Sequence, residues 1–435
     1  MDDVKKRLFE IWFSLCCGAG NREFPQLLER FGTPYDLYNA DDTVLEGLPC
    51  SPKLKARLAN KDLTQAQRIM DDCLQSDVGI LFWLDENYPA SLRSLTDPPA
   101  LLYYRGKLPD LSKRLCISVV GTRRMSEYGK GIAYKLGYEL AAAGVVVVSG
   151  MARGIDGVAA VGALQAGGTT VAVLGSGIDV IYPSEHEPLY HEIMKTGLIL
   201  SEYPPRTQPN KGTFPARNRI ISGLSQGTVV VEGTLHSGSL ITARTAIMQG
   251  RDIYAFPGNV GLSNSSGTNK LLSDGAAVVL RSRDVLENYL FLYKDVIRKD
   301  DFYRAETRST PNEAELERMG VCARTARPKT SPYSPQKGAY PADDRRREAP
   351  SAPPPTIAPP PPKSVPAHGD DSNVALQSLT ESQRRMFEAL PLDHAVSIDY
   401  FTREGYTVEE ILMTMTVLEF QGLVVILPGT LFSRK

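Results

Sequence analysis

Leu115-Cys116-Ile117-Ser118-Val119-Val120-Gly121-Thr122-Arg123-Arg124-Met125-Ser126 is the stretch on which the fold turns. Its β-branched run without polar alternation reads as a strand covered on both faces. The glycine that ends it turns the chain toward a helix beginning near Glu127. A glycine turn at a helix N-terminus leaves backbone N–H groups free at the positive end of the helix dipole. With Arg123 and Ser126 beside it, such a loop suits a phosphate. The same grammar repeats outward. Short apolar runs over 145–149, 170–174, 198–201, 228–231, 252–256 and 276–280 alternate with helix-length stretches, the pattern of βαβ units and a parallel sheet. Gly121, Gly150, Gly175, Gly233 and Gly258 follow five of these strands at or near the carboxyl edge, where open α/β sheets place ligands. Any one of them is an ordinary tight turn; five on one edge point to a ligand-binding rim. The expected fold class is α/β, an extended Rossmann-like parallel-sheet core spanning 115–295.

A chain of 435 residues predicts more than one folded unit. Residues 1–76 read as short helices broken by Gly18-Ala19-Gly20, Phe31-Gly32-Thr33-Pro34 and Leu48-Pro49-Cys50-Ser51-Pro52, a small helical domain. Residues 77–114 are a connecting region rich in Tyr and Pro. Residues 296–374, with proline runs and Asp343-Asp344-Arg345-Arg346-Arg347, are expected to form a disordered linker, because they carry too little apolar content to pack. Residues 375–435 read as three helices and a terminal hairpin, the layout of a winged helix. Near the N-terminus, Lys5-Lys6-Arg7 imitates the start of a signal sequence, but Glu10 interrupts the apolar run. An amphipathic helix with Leu8, Ile11, Trp12 and Leu15 on one face is the better reading. Six scattered cysteines without a CxxC pair, and no apolar stretch long enough for a bilayer, predict a cytoplasmic protein with reduced thiols and no membrane contact.

The formal net charge is -1, so any grip on a polyanion must come from a local basic patch. The densest one is Lys211-Gly212-Thr213-Phe214-Pro215-Ala216-Arg217-Asn218-Arg219, at a strand-to-helix junction on the same rim as Arg123 and Arg153. There phosphate contacts are the better reading, and Phe214 offers a face on which a base stacks. Gly150 and Arg153 lie in the second glycine loop, Gly175 and Gly177 in the third, and Ser237-Gly238-Ser239 make a further anion cradle at a helix start. Glu232 is expected to order the arginines by pairing with them; Asp156 and Asp179 are expected to cap helices or hold loops. Gly175-Ser176-Gly177 lacks the last glycine of a dinucleotide fingerprint, and no P-loop, metal-ligand spacing or Ser/His/acid triad stands out. No catalytic residue, metal or cofactor is expected.

Taken together, the Gly-Thr-Arg-Arg-Met-Ser, Ser-Gly-Met-Ala-Arg-Gly-Ile-Asp, Ser-Glu-Tyr-Pro, Phe-Pro-Ala-Arg-Asn-Arg-Ile-Ile and Ser-Gly-Ser-Leu-Ile-Thr-Ala motifs, followed by Phe256-Pro257-Gly258-Asn259 and Gly267-Thr268-Asn269-Lys270, strongly resemble the DNA-processing protein A (DprA/Smf) family. The resemblance implies a Rossmann-like core that forms a homodimer, binds single-stranded DNA without sequence preference and helps load the RecA recombinase during DNA uptake. By motif position it implies that Arg123, Lys211 and Phe214 line the DNA pocket, with Arg217, Asn218 and Arg219 beside them. It further implies a sterile-alpha-motif-like or helix-hairpin-helix N-terminal domain. Two departures stand out: Ala159-Ala160 replaces the family's Ala-His, and Leu48-Pro49-Cys50-Ser51-Pro52 replaces its glycine hairpin, which speaks against DNA binding by residues 47–52. The alternative is a nucleotide-binding Rossmann enzyme, a lysine-decarboxylase-like phosphoribohydrolase, whose Pro-Gly-Gly-x-Gly-Thr motif is not present at Glu232-Gly233-Thr234. For the expected winged helix, Asp399, Glu404, Glu409 and Glu410 against Arg403 favour protein contact over duplex binding.

Overall fold

The computed structural model describes residues 3–322 and, apart from short breaks, residues 379–434. They belong to two units. The first is organised on nine strands: β1 (Gly79–Phe82), β2 (Leu101–Gly106), β3 (Cys116–Val120), β4 (Val146–Ser149), β5 (Thr170–Leu174), β6 (Leu198–Ser201), β7 (Gly227–Val230), β8 (Asp252–Ala255) and β9 (Ala277–Val278). Their spatial order is β1-β2-β6-β5-β4-β3-β7-β8-β9. From β6 through β9 all neighbours are parallel. β2 joins β6 antiparallel, and β1 joins β2 antiparallel. The order runs away from β3 in both directions, β4, β5 and β6 on one side and β7, β8 and β9 on the other. That reversal is the switch point at which doubly wound sheets open a crevice.

Every residue of β3, β4, β5, β6 and β7 is buried, which is why these runs lack polar alternation. Alternate residues feed opposite cores. Ile117, Val119, Val147 and Ala172 face one cluster, and Cys116, Val120, Val146 and Val171 the other. The first cluster also takes α8 (Glu127–Ala142), α9 (Ile155–Gln165) and α10 (Glu187–Thr196), together with the N-terminal helices α1 (Asp3–Cys17), α2 (Phe24–Phe31), α3 (Pro34–Tyr38), α4 (Asp42–Glu46), α5 (Pro52–Ala59) and α6 (Thr64–Gln75). The second takes α7 (Ala90–Arg93), α11 (Thr213–Leu224), α12 (Gly238–Met248) and α13 (Ser263–Ser273). The N-terminal helices thus share a core with the sheet.

Two features differ from the expected layout. β1 and β2 lie in the region expected to be a connector; they are short, sit among turns, and gain their place only by pairing at the sheet's edge. The expected linker begins with ordered chain: α14 (Ser282–Leu286) is followed by α15 (Lys299–Glu306) and α16 (Glu313–Arg318). Phe302 and Leu316 are buried, the Ser309 hydroxyl donates to buried Glu139 at 2.5 Å, and Lys130 pairs with Glu313 at 2.9 Å. Anchors this sparse leave a composition that resembles a linker. The proline-rich remainder, 323–378, lies outside the described residues.

In the second unit, helix Glu381–Glu388 starts with a capping box between Thr380 and Gln383. Helix Ile398–Arg403 and a small antiparallel sheet, β10 (Val396–Ser397), β11 (Val424–Leu427) and β12 (Leu431–Arg434), complete it around Met386, Phe401, Met415 and Phe432. The helix expected over 408–421 lies partly outside the described residues. Among the described residues no helix is long and apolar enough to cross a membrane.

Candidate nucleic-acid interface

At the carboxyl ends of β3, β4 and β5 the chain turns at Gly121, Gly150 and Gly175. Above the switch point a cleft of about 560 Å³ opens between the loop after β3 and the start of α12; Gly121, Arg123, Arg124, Phe214, Arg217, Asn218 and Ser237-Gly238-Ser239 line it. A smaller hollow beside it is lined by Gly150, Arg153, Gly175 and Tyr182, and it shares Arg123, Phe214 and Arg217 with the cleft. The common wall is therefore Phe214, on the first turn of α11.

The surroundings of this ring explain two of the glycines. A Cβ on Gly175 would come within 2.9 Å of the Phe214 ring, and one on Gly150 within 2.7 Å of the Arg217 guanidinium. Arg217 is 4% exposed and donates to the Gly150 carbonyl at 2.9 Å, to the Val173 carbonyl, and through Nε to Asn218 Oδ1 at 3.2 Å. Burial lowers its pKa to about 10, opposed by the nearby Asp156 carboxylate. Arg217 thus supports the site from below, with its guanidinium 5.9 Å from the Phe214 centroid. The exposed Arg123 guanidinium lies 5.2 Å from the same centroid, a cation–π distance. Tyr182 adds a second ring, 5.4 Å away and tilted by 44°.

The carboxylates near the rim are occupied. Asp156 accepts the Gly150 N–H at 2.9 Å, and burial raises its pKa while Arg217 pulls it down. Asp179 accepts the Arg206 N–H at 2.7 Å. Both hold loops, as expected from the sequence. Glu232 does not order the arginines. It accepts the Ser126 hydroxyl at 2.5 Å and the Ser126 N–H at 2.9 Å, fixing the start of α8. No cluster of metal-ligating side chains occurs among the described residues.

The expected site residues separate into those brought to the cleft and those held elsewhere. Arg123 lines the cleft, whereas Lys211 lies just ahead of α11 and outside the residues that line it; both are exposed and have no carboxylate within ion-pairing distance among the described residues. Ser237 heads α12 without a side-chain cap, so the Gly238 and Ser239 amides are claimed by no described side chain, and the Ser237 and Ser239 hydroxyls lie 2.6 Å apart. Arg153 lines the smaller hollow but is ion-paired with Glu185, whose carboxyl is held below its usual pKa by that contact. Three further expected residues lie outside the lining of the cleft. Ser126 serves as the cap of α8, accepting the Gly129 N–H at 3.1 Å, and with Glu232 lines a separate hollow. Gly177 packs beneath the 204–207 loop, donating to the Thr207 carbonyl at 2.8 Å. Arg219 faces away from the cleft. It is 5% exposed, 2.5 Å from Glu202 and 3.8 Å from Asp97, and Glu202 also accepts the Gly20 N–H at 3.3 Å.

Two contributors were not singled out from the sequence. Arg124 lines the cleft, exposed and without a carboxylate partner among the described residues; its place beside Arg123 was the available signal. Tyr182 was visible only as half of a Tyr-Pro pair, because its contact with Phe214 joins a loop to a helix 32 residues away (214 − 182).

These features define a Rossmann-like α/β protein whose switch-point cleft offers free cations, an aromatic ring and open helix amides. Residues 79–290 match the family model described as DNA recombination-mediator protein A. The chain is 44% identical over 202 residues to DNA processing protein DprA of Bacillus subtilis, covering 46% of this chain and 68% of that protein. It is 45% identical over 208 residues to DprA of Streptococcus pneumoniae, covering 48% and 73% respectively. The X-ray structure of the Streptococcus pneumoniae protein matches with a TM-score of 0.57 and 36% identity, over 64% of this chain and 97% of that one. The chain belongs to the DNA recombination-mediator protein A (DprA/Smf) family. The matched span includes β1 and β2, so the edge strands lie within the family's domain.

Proposed function

We propose that this protein binds single-stranded DNA across the switch-point cleft, without sequence preference and without breaking a bond, and hands the strand to a RecA-type recombinase. The observation that carries the proposal is Phe214 standing at the cleft wall under the exposed Arg123 guanidinium. Strand-binding proteins pair a base-stacking ring with cations that follow the phosphates. A duplex hides its base faces, so a stacking wall favours the single strand. Arg123 and Arg124 supply phosphate contacts in the cleft, exposed Lys211 just ahead of α11 extends them along the strand, the α12 amides add an anion cradle, and Arg217 and Asn218 hold the floor.

The homodimer reading draws support from the open sheet edge, since among the described residues β9 has no strand on its outer side and Val278 and Leu280 are 55% and 74% exposed. Free thiols at all six cysteines are in keeping with a reducing cytoplasm. The test is fluorescence anisotropy with oligo-dT and with a duplex of the same length. Tight binding to the single strand, lost on Phe214→Ala with the fold intact, is the expected result. Equal affinity for the duplex, or an unaffected Phe214→Ala variant, would remove the basis of the proposal. Recombinase loading is checked by filament assembly on a strand precoated with single-strand-binding protein, with and without this protein.

A further inference from the structure

Tyr182 lies on the loop between β5 and α10 and is 39% exposed. Its hydroxyl makes no hydrogen bond to a described residue, so it anchors nothing. The loop that carries it is nevertheless fixed at both ends. Ser176 donates to the Val180 carbonyl at 2.7 Å before it, and His186, fully buried, stands with Nδ1 3.1 Å from the Met151 carbonyl after it. A rigid loop therefore presents an exposed aromatic face to the hollow that Phe214, Arg123 and Arg153 also line.

We infer that Tyr182 is a second base-stacking residue, so that the cleft holds two neighbouring bases of a single strand, one on Phe214 and one on Tyr182. The inference rests on the single-strand reading above. The two rings are tilted by 44°, and one flat base cannot lie parallel to both. Bases lying flat on the two rings are tilted against each other by the same angle, so they cannot remain stacked on one another and the strand is unstacked where it crosses. Unstacking exposes the faces that the rings then cover. It also rejects a duplex, whose bases cannot separate in this way. Arg123 stands over Phe214 as a free cation for the adjoining phosphate, while Arg153 beside the Tyr182 hollow is held by Glu185.

The test is a double-mutant cycle on oligo-dT and on an abasic strand of equal length, read by anisotropy. Tyr182→Ala should weaken oligo-dT binding by between about fivefold and about a hundredfold, the usual range for one stacked base. The loss should persist in a Phe214→Ala background, be absent on the abasic strand, and be rescued by Tyr182→Phe. Tyr182→Leu keeps the apolar bulk without the aromatic face and should behave like the alanine variant, which guards against a folding artefact. The inference is overturned if Tyr182→Ala binds as the parent does, if the loss vanishes in the Phe214→Ala background, or if it is equal on the abasic strand. Failure of the underlying reading looks different. Arg123→Ala/Lys211→Ala would then leave oligo-dT binding unchanged, whereas a fault confined to Tyr182 leaves that double variant weakened.

Discussion

The charge arrangement predicts how steeply binding falls with salt. Five cations were expected at or beside the site, but they differ in availability. Arg219 is buried against Glu202, Arg217 is buried against carbonyls, and Arg153 is paired with Glu185. Arg123, Lys211 and, newly placed, Arg124 stay exposed and without a carboxylate partner among the described residues. Each phosphate neutralised on a single strand contributes about −0.7 to the slope of log K against log salt, so three give a slope of about −2. Between 50 and 200 mM salt the affinity for oligo-dT should then fall about twentyfold. Arg123→Ala/Lys211→Ala should flatten the slope to about −0.7 and weaken binding most at low salt. Arg153→Ala should leave the slope close to the parent's. Glu185→Gln, by releasing Arg153, should steepen it to about −2.8 and tighten binding at low salt. Anisotropy titrations at four or five salt concentrations measure all of this. A parent slope near zero, or an Arg153→Ala effect as large as that of Arg123→Ala, would refute the division into free and occupied cations.

Gly175→Ala places a methyl group within 2.9 Å of Phe214 and should cut oligo-dT affinity several-fold with little change in melting temperature. Gly150→Ala crowds the buried Arg217 guanidinium at 2.7 Å and should instead destabilise the fold, by about 1–3 kcal/mol in denaturant titration. Glu232→Ala removes the carboxylate that fixes Ser126 and should cost about 1–2 kcal/mol of stability, read by the same titration, while strand binding is retained. The Arg153 contact lowers the Glu185 pKa, so its stabilisation is present above the ordinary glutamate value and is lost as pH falls through the depressed one. The stability difference between parent and Glu185→Gln should accordingly shrink to nothing in that acid window; a difference that persisted below it would show that the pair is not its source.

The core strands were legible because burial on both faces forces apolar runs, and β3 to β7 are such runs. β1, β2 and the α15–α16 segment were not, because their stability comes from partners distant in sequence: β1 pairs with β2 and β2 with β6, while Glu139 and Lys130 hold the two helices through Ser309 and Glu313. Within the site, the glycine edge and the Lys211–Arg219 cluster were visible as composition. What composition does not resolve is direction. Arg217 and Arg219 are two residues apart on α11, which turns about 100° per residue, so their side chains leave the helix about 200° apart. Phe214, Arg217 and Asn218 are spaced three and four apart and share one face. If that face bounds the cleft, Arg219 must point away from it.

That geometry gives α11 two jobs. One face carries the ring and its support; the other carries Arg219, locked to Glu202, which in turn holds the Gly20 N–H in the turn after α1. A buried ion pair contributes little net stability, because desolvating both charges offsets their attraction, but losing one partner leaves a stranded charge. Such a pair is suited to fixing orientation. Here it fixes the rotation of α11 about its own axis, and with it the direction in which Phe214 points, while tying that direction to the seating of the N-terminal helices. The arginine turned away from the cleft thereby determines where the aromatic ring at the cleft wall stands.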